Sequence, residues 1–96
     1  MTAALKSAVI GTGVSSKQHL SFLQGSELAN IVGVCDLSPA AASYAADTFG
    51  AAAAYTSYTE MLEKAKPDVV HILTPPKTHF PIATDCLKAG SHVICE

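Results

Sequence analysis

One rhythm limits this chain more than any other feature. Short apolar runs recur at "AVIG" (8–11), "NIVGVC" (30–35), 53–56, "DVVHILT" (68–74) and "HVIC" (92–95). They do not alternate with polar residues as a strand with one wet face does. Strands covered by helices on both sides look like this, and they belong to parallel sheets. Between them lie segments of helical pattern. Ser16 to Gln24 carries Leu20 and Leu23 and stops at Gly25. Ser38 can cap a helix whose first residue, Pro39, has no N–H to lose. Tyr44, Ala45, Thr48 and Phe49 fall on one stripe of it, and Gly50 suits a left-handed end. Ser57 and Glu60 make a capping box for a short helix with Met61, Leu62 and Ala65 inside, closed by Pro67. Thr78 to Ala89 puts Ile82, Ala83, Cys86 and Leu87 inside, with Pro81 in the first turn and Gly90 after the end.

The order is βαβαβαβαβ. Right-handed crossovers then predict an α/β fold: a doubly wound parallel sheet of about five strands, ordered 3-2-1-4-5, with helices on both faces. The length of 96 residues predicts one domain, 1–96. Apolar residues make up 49% and charged residues 15%, a globular balance. A net charge of −2 supplies no basic face, which argues against nucleic acid or an anionic membrane as partner. No apolar run approaches the ~18 residues of a membrane span. Lys6 and Ser7 interrupt the N-terminal apolar stretch, so no secretory leader is expected. The three cysteines, Cys35, Cys86 and Cys95, form no CxxC and lie in or beside apolar segments. They read as reduced core thiols of a cytoplasmic protein.

In such a sheet a ligand binds outside the carboxyl ends of the strands, where the strand order reverses. The chain places Gly11 to Ser16, Asp36, Thr74 to Pro76 and Glu96 there. "GTGVSSKQH" (11–19) has two glycines one residue apart after the first strand. Gly11 permits the tight turn, and Gly13 removes a Cβ where a pyrophosphate must approach the backbone. The following helix offers N–H groups and a positive dipole end. Ser16 stands where a third glycine is usual, and the hydroxyls of Ser15 and Ser16 are candidate phosphate donors. A plain βα turn is the alternative reading of this stretch. Asp36 ends the second strand, where an acid accepts hydrogen bonds from both hydroxyls of an adenosine ribose and repels a 2′-phosphate. That favours NAD over NADP. A turn acid ahead of the Ser38 cap is the alternative.

His71 reads as a satisfied core residue, His92 as structural, and His19 as half-buried packing. His79, at the carboxyl edge of the sheet, has the best claim to function. No metal spacing, nucleophile elbow or Walker lysine motif occurs.

"AVIGTGVSSKQHL", "IVGVCDLSPAAASYAADTFG" and "YTSYTEMLEKAKPDVVHILTPPKTHFPIATDCLKAGSHVICE" together resemble the N-terminal half of the glucose–fructose oxidoreductase / inositol dehydrogenase / rhizopine-catabolism (Gfo/Idh/MocA) family. The resemblance implies NAD(P)-dependent hydride transfer on a sugar, polyol or related cyclic hydroxyl or carbonyl compound. It implies that Gly11, Thr12, Gly13, Val14 and Ser15 hold the pyrophosphate. Asp36 and Leu37 would then meet the ribose, Leu73, Thr74 and His79 border the nicotinamide half, and Glu96 lies near the nicotinamide ribose. The chain departs from the pattern at Ser15 and Ser16, where the family often has an aliphatic residue and then Gly or Ala. In that family the last motif continues Glu-Lys-Pro, and the lysine and a further acid/base do the chemistry. The chain ends at Glu96, so it is expected to be a truncated dinucleotide domain, inactive alone, with no catalytic residue and no metal site of its own. Its fifth strand is expected to be a bare sheet edge that invites self-association. Alternatives are a dinucleotide-sensing transcriptional co-regulator of the same family and another nucleotide-binding module, such as a methyltransferase-like one.

Overall fold

The computed structural model describes residues 4–13 and 16–95. Its elements are β1 (Leu5–Ile10), α1 (Ser16–Gly25), β2 (Ala29–Cys35), α2 (Pro39–Phe49), β3 (Ala54–Tyr55), α3 (Tyr58–Ala65), β4 (Val69–Ile72), a 3-10 turn (Pro76–Thr78), α4 (His79–Lys88) and β5 (His92–Cys95). The strands form one parallel sheet in the order β3-β2-β1-β4-β5, the predicted order.

The boundaries shift where a backbone partner decides. β1 starts at Leu5 rather than Ala8, because Leu5, Lys6 and Ser7 pair with Ala29, Asn30 and Ile31. β4 stops at Ile72, so Leu73 and Thr74 leave the strand and form the loop below. The helix expected from Thr78 begins at His79, preceded by the 3-10 turn.

The sheet divides the core in two. Ala8, Ile10, Cys35, Val70 and Ile72 face Met61 and Leu62 of α3 and Ile82 and Cys86 of α4. Val9, Ile31 and Val34 face Leu20 and Leu23 of α1 and Ala45 and Ala46 of α2. Ile31 and Val34 are three residues apart yet share a face. The register between β1 and β2 slips at Ser7/Ala8, so that Ser7 pairs with Ile31 and Ala8 with Gly33. Val32 is the extra residue of this bulge, and it resets the alternation.

Ser38 caps α2 by accepting from the Ala41 N–H, and Gly50 ends it at φ 73°. The buried stripe is Ala42, Ala45 and Ala46, with Phe49 partly buried against it. This corrects the expected stripe. Tyr44 is 64% exposed and Thr48 is exposed, because at about 3.6 residues per turn the face set by Ala42, Ala45, Ala46 and Phe49 leaves them pointing away from the sheet. Ser57 caps α3 by accepting from the Glu60 N–H at 3.3 Å. Among the described residues the side chain of Glu60 pairs with Lys64 rather than returning to Ser57, so the capping box is half built. Cys35 and Cys86 are buried, as expected of core thiols, but Cys95 is exposed on the edge strand β5. No helix of the described residues is long and apolar enough to cross a membrane.

Candidate functional site

The loops after β1, β2 and β4 and the start of α3 enclose a cleft of about 700 Å³ at the carboxyl edge of the sheet. Gly11, Thr12, Gly13, Asp36, Leu37, Leu73 and Thr74 all line it. The structure therefore brings together seven of the residues that the sequence assigned to a dinucleotide. Val14, Ser15 and Glu96, also assigned to it, lie outside the described residues.

The two glycines differ in kind. Gly11 has φ 99°, and a Cβ there would sit 3.0 Å from the carbonyl carbon of Leu73 and 3.1 Å from the amide nitrogen of Thr74. Its bareness serves the fold, since the chain leaving β4 crosses directly over it. A Cβ on Gly13 would meet no atom of the described residues within 4 Å. Gly13 also lines the cleft, and open space beside a bare backbone is what a pyrophosphate needs. The loop is closed at its far end by Ser16, whose N–H and hydroxyl donate to the Gly13 carbonyl at 3.0 and 2.6 Å. Ser16 is 2% exposed. This revises its expected role: its hydroxyl hydrogen is committed to the loop rather than to a phosphate, and that bond is how a hydroxymethyl is housed in the third glycine's place.

Asp36 follows β2, its N–H held by the Tyr55 carbonyl. Its Oδ2 accepts from the Thr12 N–H at 3.0 Å and from the Thr12 hydroxyl at 2.7 Å. Its Oδ1 accepts from the Ser38 N–H at 2.9 Å. Burial pushes the carboxyl up, but the Ser38 and Thr12 N–H groups and the Thr12 hydroxyl outweigh it and hold Asp36 below the ordinary carboxylate value. Thr12 thus takes two acceptor positions on Oδ2. The neighbouring Cys35 thiol is pushed up to about 11 by burial and by the charge of Asp36, so it lines the cleft as a neutral apolar group.

The "TPPKTH" loop is cross-tied. The hydroxyls of Thr74 and Thr78 share a hydrogen bond at 2.6 Å, and the Thr78 hydroxyl donates to the Pro75 carbonyl at 2.7 Å. The His79 ring lies with Nε2 2.6 Å from the Thr74 carbonyl oxygen. A carbonyl only accepts, so Nε2 carries the proton. His79 thus pins the loop that forms the cleft wall, without itself lining the cleft.

Sequence reasoning missed Tyr58. It lines the cleft at the start of α3, and its hydroxyl donates to Asp85 Oδ2 of α4 at 2.5 Å. That bond, then burial, then the charges of Asp85 and Cys86 push the phenol up to about 12. The half-buried His71 is also not the satisfied histidine expected. Its Nδ1 is buried with no hydrogen-bond partner among the described residues, and its ring meets His19 edge-on at 5.7 Å between centroids. Neither pairing has a signal in the local sequence, since each joins residues of different elements.

A family model described as an oxidoreductase family with an NAD-binding Rossmann fold (Gfo/Idh/MocA) matches residues 5–96. The chain belongs to this family. It is 36% identical over 93 residues to D-glucoside 3-dehydrogenase of Escherichia coli (strain K12), covering 96% of this chain and 26% of that protein. It superposes with a TM-score of 0.91 on apo scyllo-inositol dehydrogenase from Lactobacillus casei, at 25% identity over 99% of this chain and 29% of that one. The TM-score is also 0.91 for the WlbA dehydrogenase of Chromobacterium violaceum, crystallised with NADH and UDP-GlcNAcA, at 30% identity over 99% of this chain and 28% of that one. The chain spans about a quarter of the length of the curated relatives it matches.

Proposed function

We propose that residues 1–96 are the dinucleotide-binding domain of a dehydrogenase that moves a hydride between a nicotinamide cofactor and a sugar, polyol or related cyclic hydroxyl or carbonyl compound. The observation that carries this reading is the union, in one cleft, of the bare Gly13 backbone and an ionised Asp36. Gly11 makes the turn and Gly13 lets the pyrophosphate lie against the loop, beside the positive end of α1. Asp36 receives the adenosine ribose, and Leu73 and Thr74 form the wall along the nicotinamide half. The bound cofactor supplies the hydride donor or acceptor. The substrate class rests on relatives such as the D-glucoside 3-dehydrogenase. Among the described residues lining the cleft, Cys35 and Tyr58 are held protonated and Asp36 ionised.

The cofactor is NAD in preference to NADP. A 2′-phosphate brings about −1.5 to −2 charges, and the described residues that line the cleft include Asp36 and no Lys, Arg or His. Calorimetric titration of the chain with NAD and with NADP tests the assignment. Tighter binding of NAD is expected, with the difference lost in Asp36→Ala. Equal affinity for both cofactors in the unchanged chain refutes the preference. Binding of S-adenosylmethionine without binding of NAD refutes the dinucleotide reading as a whole.

A further inference from the structure

We propose that Thr12 is the positioning residue of this ribose site, and that the Thr12–Asp36 pair, rather than Asp36 alone, recognises a ribose hydroxyl and rejects a phosphate. The inference rests on the reading of Asp36 given above and goes further in naming what sets its selectivity.

An ionised carboxylate offers about four acceptor positions. Three are taken by the Thr12 N–H, the Thr12 hydroxyl and the Ser38 N–H. The remaining position is on Oδ1. The Thr12 hydroxyl has given its hydrogen to Oδ2, so its own oxygen keeps only lone pairs to offer. The pair therefore presents acceptors and no donor. A ribose hydroxyl satisfies that demand, and the oxygens of a phosphate dianion, which only accept, do not. Thr12 also fixes the carboxylate in one orientation from across the strand junction, 24 residues away in sequence. Its two donors help to keep Asp36 charged, so the repulsion persists at a pH where a free carboxyl would begin to protonate. The other titratable groups around Asp36 do not compete. Those among the described residues lining the cleft are the neutral Cys35 thiol and the Tyr58 phenol, with no Lys, Arg or His.

The test uses Thr12→Val, which keeps the shape and the N–H but removes the hydroxyl, and Thr12→Ser, which restores it. Affinities for NAD and NADP are measured by calorimetry from neutral pH downward, and the Asp36 carboxyl is titrated by carbon NMR in the ligand-free chain. In Thr12→Val the NAD:NADP preference is expected to fall about tenfold, the worth of one hydrogen bond to a charged group. Its residual preference should also fade at higher pH than in the unchanged chain, and the Asp36 titration should move up. Thr12→Ser is expected to restore all three. An unchanged Asp36 titration and an unchanged preference in Thr12→Val overturn the proposal, as does failure of Thr12→Ser to restore them. Asp36→Asn separates the two levels. If it leaves NAD affinity and the NAD:NADP preference untouched, the ribose assignment fails and this proposal's selectivity claim with it, while the NMR titration still reports on the clamp itself.

Discussion

Gly11→Ala and Gly13→Ala look alike on paper and are expected to act on different properties. At Gly11 a methyl group enters a backbone with φ 99° and lies 3.0 Å from the Leu73 carbonyl carbon and 3.1 Å from the Thr74 nitrogen. Left-handed backbone costs an L-residue about 1–2 kcal/mol. The contact is with backbone, which cannot swing aside, and such overpacking adds about 1–3 kcal/mol. The sum, about 2–5 kcal/mol, is a large part of the ~5–15 kcal/mol that holds a domain together. The thermal midpoint should fall by about 10–30 °C. Gly13→Ala meets no atom of the described residues within 4 Å. Its unfolding free energy in urea should stay within about 0.5 kcal/mol of the unchanged chain, as surface substitutions do, while NAD affinity drops at least about tenfold because the methyl fills the phosphate cradle. Circular dichroism melts and urea titrations read the first property, and calorimetry reads the second. A Gly11→Ala chain that melts with the unchanged one refutes the argument from Leu73 and Thr74. A Gly13→Ala chain that keeps full NAD affinity refutes the cradle.

Gly33→Ala should also destabilise, by about 1–3 kcal/mol in urea titration, since its methyl would lie 3.0 Å from the Tyr55 ring and 3.1 Å from Met61 Cγ. An unchanged midpoint would show that Met61 yields freely. Burial, and then the proximity of His19, hold the His71 imidazole below its ordinary value. As pH falls through about 6.5 the unfolded chain therefore binds the proton more readily, and stability drops toward acid. His71→Leu should lose less of its urea midpoint than the unchanged chain between about pH 7 and pH 5; an equal loss in both would rule His71 out as the source.

Much of this protein is decided by local pattern. Runs such as "DVVHILT" cannot tolerate a wet face on either side, so helices must cover both. Ser38-Pro39, Ser57 and Gly50 place helix ends through capping and backbone chemistry that act within a few residues. Gly11, Gly13 and Asp36 could be assigned to one edge because parallel crossovers bring all strand ends to the same side. What local pattern does not carry is any relation that depends on which element lands on which. The bulge at Val32 puts Ile31 and Val34 on one face, because β2 is held in register by β1 and not by its own alternation. Tyr44 is exposed because the face of α2 set against the sheet carries Ala42, Ala45, Ala46 and Phe49. Tyr58 with Asp85, His71 with His19, and Thr12 with Asp36 each join side chains from separate elements, so no spacing along the chain announces them. The acid after β2 was legible from its place in the pattern. That its carboxylate arrives already held by Thr12 was decided only when the loops after β1 and β2 were packed side by side.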